Sequence, residues 1–493
     1  MMQPMAARMN KLFTFANDKS KALLVLTVLG LLLFLPGFFS IPPIDRDEAR
    51  FAQATKQMIE SGDYLDIRYQ NETRYKKPIG IYWLQAATTH ISGAPPYNEI
   101  WTYRIPSLLA AIASLFLTYL IGCRLVSAPI GFAAALLMAS TLILPVEARL
   151  AKTDAMLLAT ILLAIWPLAK IYRNPAKFSW PETILFWLAI AAGILIKGPI
   201  ILMVIATIIF VICVLQKSSR LFLHLRPLAG LLITMLCVAP WLISITIKSN
   251  GAFWLESIGK DMLSKVASGQ ESHGLPPGAH LGLLFILFLP AIVPLFHGLR
   301  YGWRTRQDRI TQFLLAWIIP TWLIFEFTPT KLPHYTLPTY PAIALLAAIA
   351  ISKVNWSARN VRLCFAVPIA LALALNIKFL GIIGPNLPEF WLAKDLRQTL
   401  VARDMADQPL AIVGYAEPSA VFLNGTKTQL LASGGEGAGA LQSGAIVAVA
   451  SERQQEFINA VRKLKLRPHE IITINGFNLG RGKAMTLILY SKK

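Results

Sequence analysis

Four charged residues in a row, Asp45, Arg46, Asp47 and Glu48, stand directly after the first long apolar run and directly before a helix-like stretch. A carboxylate in that position can cap a helix, where the backbone dipole favours negative charge. It can equally take a proton from a bound hydroxyl. Three more groups of charge interrupt apolar sequence. Glu147, Arg149, Lys152 and Asp154 fall in one short turn; Lys197 precedes Gly198-Pro199 inside otherwise continuous apolar residues; and Lys331 opens the run Lys-Leu-Pro-His-Tyr that ends at Tyr335. Lys76-Lys77-Pro78 adds two cations ahead of Tyr82-Trp83. Ionisable groups at membrane depth are costly and usually pair or line a polar cavity, although a lysine near a span end can also snorkel to the headgroups. Taken together, carboxylates beside lysines at a bilayer surface suit a lipid-linked phosphate with an acid–base group nearby.

The elements that must position these residues are apolar runs. Of 493 residues, 55% are hydrophobic and only 15% charged, and the mean hydropathy is +0.55. Runs of roughly 17–25 apolar residues cross a bilayer, and soluble cores have no need of them. The runs predict about eleven spans, at 21–40, 104–122, 127–145, 155–170, 183–197, 198–216, 227–247, 281–299, 311–327, 335–352 and 363–384. The first follows a basic start and lacks a small-x-small cleavage pattern, so it reads as a retained anchor. With the N-terminus in the cytoplasm, Arg124, Lys170, Arg173, Lys177, Lys217, Arg220, Arg226, Arg300, Arg304, Arg306, Arg309, Lys353, Arg359 and Arg362 all fall on the inner side, as the positive-inside rule requires. The same rule accounts for the net charge of +21 without nucleic acid as a partner. The four cysteines (Cys123, Cys213, Cys237, Cys364) fall in or beside spans, which excludes a disulfide framework; neither they nor any dense His/Asp cluster predicts a metal.

The remaining loops, and everything after about Gly384, then face outward. A first outward loop, 41–103, carries amphipathic stretches near 47–61 and 78–93, and 248–280 forms a second large loop. The expected organisation is a transmembrane domain over 1–384 and an outward α/β domain over 385–493. In the tail, the apolar runs Ala411–Tyr415, Ala445–Ala450 and Met485–Tyr490 read as strands and 452–466 as a helix. Ser433–Gly439 reads as a glycine-rich loop, since nothing around it has the context of a phosphate cradle. The fold class is thus an all-α polytopic membrane protein with outward loop helices and a small C-terminal α/β domain.

The order DEARFAQATKQMIESGDY, RYKKPIGIYW, EARLAKTD, KGP and TKLPHYTLP resembles the integral-membrane glycosyltransferases of the C superfamily, in the branch of protein O-mannosyltransferases, aminoarabinose lipid A transferases and their bacterial galacturonosyl relatives. The resemblance covers about residues 20–385. It implies a sugar delivered on polyprenyl phosphate, transfer on the periplasmic face of a bacterial inner membrane, and an envelope acceptor: lipid A, lipopolysaccharide core, another glycan or protein. It implies Asp47 as the catalytic carboxylate with Glu48 beside it, Asp154 as the second acidic motif, and Lys77, Lys197, Lys331 and Tyr335 around the donor phosphate. Tyr82, Arg149 and His273 are further candidate substrate contacts. Attack of the acceptor hydroxyl, assisted by a carboxylate while lysines neutralise the departing phosphate, inverts the anomeric centre. Lys76 stands where aminoarabinose transferases carry an acidic residue, and the loop Ser268–His280 keeps a histidine without the aromatic pair usual at its end. A transporter or flippase of a lipid-linked sugar is the alternative, although the halves show none of the repeats usual in such proteins.

Overall fold

The structure, a computed structural model, describes residues 9, 11–175, 179–263, 275–387 and 389–492. It divides into two compact units: residues 1–36, 75–81 and 104–378 form one, and 37–74, 82–103 and 379–493 the other.

The first unit is helical. Among the described residues seven helices are long and apolar enough to cross a membrane: Ile100–Leu125, Asp154–Arg173, Trp180–Lys197, Pro227–Lys248, Arg309–Phe327, Pro333–Lys353 and Ala358–Asn386. The pair Ala279–Leu287 and Leu289–Arg304, bent by 74°, makes an eighth if counted as one span, and Ala128–Ala139 and Ile200–Leu215 are shorter apolar helices. Every expected span falls on a helix, but the first helix, Lys19–Phe34, stops short of the expected end at Ser40. Local chemistry sets several starts. Asp18 accepts the Ser20 and Lys21 N–H groups, and Ser179 with Glu182 forms a capping box ahead of Trp180. Burial separates central from peripheral helices: 94% of the Pro333–Lys353 window is buried but only 22% of Pro227–Lys248 and of Ala358–Asn386. The outer helices therefore leave leucines such as Leu228, Leu231, Leu232 and Leu236 exposed, which only a lipid environment tolerates in such number.

The second unit joins the first-loop helix Asp47–Ser61 and most of the helix Gly80–Ser92 to the C-terminal domain. A two-stranded ribbon, β1 (Arg68–Tyr69) and β2 (Glu72–Thr73), follows the first of these helices. The domain is a five-stranded sheet of β3 (Leu410–Val413), β4 (Gln429–Leu431), β5 (Ile446–Ala450), β6 (Pro468–Asn478) and β7 (Lys483–Lys492), in the order β4-β3-β5-β7-β6. β3 runs parallel to β4 and β5, whereas β7 runs antiparallel to β5 and β6. Burial on both faces explains why β3 and β5 read as unbroken apolar runs.

One expectation is corrected here. Ser433–Gly439 is not a loop: Gly434–Gln442 is a helix, opened by a capping box in which Ser433 and Glu436 satisfy each other's backbone. Its glycines serve close packing, because a Cβ at Gly434 would lie 2.3 Å from the Phe457 nitrogen and one at Gly437 2.6 Å from Val413. Composition signalled a loop, but the cap and the tight seat decide for a helix.

Candidate active site

In the helical unit, three stretches far apart in sequence meet at the ends of apolar helices. The short helix Ile143–Glu147 supplies Glu147, and the turn after it supplies Lys152. Asp154 opens Asp154–Arg173, and Lys197 closes Trp180–Lys197. His334 and Tyr335 sit in the 3₁₀ turn Pro333–Thr339. Lys152 Nζ lies 3.0 Å from Glu147 Oε1 and 3.5 Å from Asp154 Oδ2. Lys197 pairs with the other Asp154 oxygen. His334 bridges the two acids, with Nδ1 3.6 Å from Glu147 and Nε2 3.5 Å from Asp154. All are nearly buried: Glu147 is 2% exposed, Asp154 7% and Lys152 9%.

Charges this deep persist only in pairs, since removing them from water costs several kcal/mol per ion. Burial raises the Glu147 carboxyl above its ordinary range against the pull of Lys152, and Asp154 adds to the rise. Asp154, Lys197, Phe325, His334 and Tyr335 border a cleft. The Tyr335 ring packs on Phe325 at 5.4 Å and lies 5.8 Å from Lys197 Nζ. Lys331 is 3% exposed, with Nζ donating to the Thr328 carbonyl at 2.9 Å. The Lys77 turn reaches the same helix end as Lys197. Gly80 packs on Leu195 so closely that a Cβ there would lie 2.8 Å from its carbonyl oxygen. Lys77 itself is half-buried, and Nζ donates to the Lys76 carbonyl at 3.0 Å.

Arg149, a candidate substrate contact, has another occupation. Its guanidinium donates to the backbone carbonyls of Leu33, Pro36 and Pro145, so it satisfies carbonyls at and just past the C-terminal end of the helix Lys19–Phe34. His273 lies outside the described residues. Two residues that the sequence motifs contain but to which the sequence assigned no role, His334 and Lys152, complete the cluster. The available signal was adjacency, since each neighbours a predicted site residue within the same motif.

The remaining candidates belong to the other unit. Asp47 is exposed at the first position of its helix. Glu48 is 2% exposed and its carboxylate accepts the Ile44 N–H at 2.9 Å, an acceptor that fixes the chain entering the helix. Asp45 Oδ1 accepts the Ser419 N–H at 2.8 Å, and burial raises its carboxyl. Tyr82 is wholly buried, its ring 5.5 Å from that of Phe51, and serves the core of this unit.

Residues 76–243 match the family model described as dolichyl-phosphate-mannose-protein mannosyltransferase. The chain is 28% identical over 389 residues to the undecaprenyl phosphate-alpha-4-amino-4-deoxy-L-arabinose arabinosyl transferase of Pectobacterium carotovorum, across 75% of this chain and 66% of that protein. It is 27% identical to the protein of the same description from Pseudomonas aeruginosa, across 65% of this chain and 59% of that one. The chain thus spans 59–66% of the length of these relatives. Its fold is similar to that of ArnT from Cupriavidus metallidurans bound to undecaprenyl phosphate, with a TM-score of 0.77 at 15% identity, covering 94% of this chain and 97% of that one. The oligosaccharyltransferase of Archaeoglobus fulgidus shares the fold more loosely, with a TM-score of 0.56 at 11% identity over 83% of this chain and 63% of that one. At these identities the structures bear on the fold alone. With the sequence relatives they bear out the resemblance read from the motifs, to C-superfamily glycosyltransferases of aminoarabinose transferase-like type.

Proposed function

We propose that this chain is a multi-pass enzyme of a bacterial inner membrane that moves a sugar from polyprenyl phosphate to an envelope acceptor on the periplasmic face, with inversion. The observation that carries this reading is the lysine-bearing cleft at the ends of apolar helices, bordered by Asp154, Lys197, His334 and Tyr335, in a chain similar to transferases that use undecaprenyl phosphate. A lysine ammonium that meets the carrier phosphate stabilises the charge released as the glycosidic bond forms. Lys77, Lys197, Lys331 and Tyr335 are assigned to that phosphate. Asp47, exposed and at a helix start, takes the acceptor proton. Asp154 holds Lys197 and Lys152 by charge, and Glu48 secures the backbone beside the base. The orientation has the N-terminus in the cytoplasm and the domain 385–493 in the periplasm. Lys19–Phe34, the bent pair and the two shorter apolar helices complete a set of eleven spans.

The acceptor is lipid A, lipopolysaccharide core, another glycan or protein. The test uses the purified full chain in vesicles loaded with a radiolabelled polyprenyl-phosphate sugar. Label appearing on an added acceptor is expected. Translocation of intact label across the bilayer without transfer would instead make the chain a flippase.

A further inference from the structure

The C-terminal domain contributes none of the candidate site residues, yet it holds the segment that carries two of them, Asp47 and Glu48. The helix Asp47–Ser61 is bound to residues 417–428 along its length. Lys56, 1% exposed, donates to the Phe422 carbonyl at 3.1 Å. The Gln53 amide donates to Thr426 Oγ1 at 2.8 Å, and that hydroxyl donates to Glu60 at 2.6 Å. Gln70 reaches the carbonyls of Thr426 and Thr428 at 3.0 and 2.6 Å. Gln53 and Lys56 lost their water on burial, so for these two the partner is obligatory and the fit specific.

At the start of the helix the hold tightens around a strained residue. Arg46 sits at φ 71°, ψ −106°, a conformation that an L side chain avoids and that persists only where its surroundings over-determine it. The surroundings do so from three sides. Asp45 accepts from Ser419 N–H, the Arg46 guanidinium donates to the Gly480 carbonyl, and Glu48 accepts from Ile44 N–H. Gly480 is itself fixed, in the β6–β7 turn closed by Gly482 N–H on the Asn478 carbonyl at 2.8 Å, and packed so close to Glu417 that a Cβ would lie 2.1 Å from its carboxylate. Within Asp45–Glu48, Asp47 alone is exposed.

We propose that the C-terminal domain is a clamp that fixes the backbone of the catalytic carboxylate, with Arg46 as the positioning residue through which the β6–β7 turn acts on Asp47. This rests on the proposed function for its catalytic half, but the clamp has a readout of its own. The full chain in lipid nanodiscs is compared with Arg46→Gly, which relaxes at positive φ and lacks the guanidinium, and with Arg46→Lys, which keeps a donor. Amide hydrogen exchange over 44–50 should quicken about tenfold or more in the glycine variant. Turnover should fall about tenfold or more with donor KM within about twofold, as for a group misplaced rather than a substrate lost. The lysine variant should restore most of both. Unchanged exchange over 44–50 in Arg46→Gly overturns the clamp, and quickened exchange with unchanged turnover overturns its catalytic role. If the unmodified chain transfers no polyprenyl-linked sugar, the function fails, and the exchange result alone decides the clamp.

Discussion

Asp47 and Asp154 each open a helix, and in the sequence each reads as an acid beside cations at the edge of an apolar run. Their surroundings separate them. Asp154 begins an apolar span, is 7% exposed, and is held between Lys152, Lys197 and His334. Asp47 begins an amphipathic helix and is exposed. A carboxylate locked among buried cations is an anchor, because protonating it would leave those cations uncompensated. An exposed carboxylate on a fixed backbone is free of that constraint and can accept a proton. The same signal thus marks an electrostatic support in one unit and the proposed base in the other, and burial decides which.

The contrast can be broken most forcefully at the anchor. Asp154→Asn leaves two buried lysines facing one carboxylate fewer and should cost about 3–5 kcal/mol of stability, read as a lowered unfolding midpoint in detergent. An unmoved midpoint would make Asp154 no anchor. Lys77→Ala, which removes one proposed charged partner of the donor phosphate, should raise the donor concentration for half-maximal rate by about tenfold. Unaltered donor kinetics would assign that lysine to headgroup contact.

A further effect concerns pH and the second unit. Burial, with Asp45 adding to it, raises Glu417 from 4.5 to about 7, while Arg46, Arg50 and Arg481 oppose the shift. The folded state binds this proton more tightly than the unfolded chain does. Its stabilising contribution is therefore present in acid and is lost as pH rises from about 4.5 through about 7. Glu417→Gln should remove that loss, so the variant gains on the unmodified chain from about pH 5 to about pH 8. A constant difference between the two midpoints would refute the shift.

What the sequence disclosed follows the same division. Periodicity and apolar length located the helices, because a bilayer leaves a chain few alternatives. The first-loop helices at 47–61 and near 80–92 were legible from amphipathicity, and β3, β5 and most of β7 from their apolar runs. β4 was hidden because it is three residues with an exposed start, and β6 because its edge position leaves polar residues along it. At the site, the motifs located the charges without disclosing their partners. Arg149 reads as a free cation, yet backbone carbonyls take its guanidinium, and no residue pattern encodes a carbonyl. Glu48 reads as a twin of Asp47 and faces inward. His334 was overlooked between Lys331 and Tyr335, since only the fold brings it to Glu147 and Asp154.

The most direct measurement is single-turnover sugar transfer by Asp47→Asn at saturating donor, beside its unfolding midpoint. The expected result is a loss of ~10²–10⁴ in rate, as for removal of a general base, with the midpoint within about 0.5 kcal/mol of the unmodified chain, as for an exposed substitution. Near-normal turnover in that variant would contradict it.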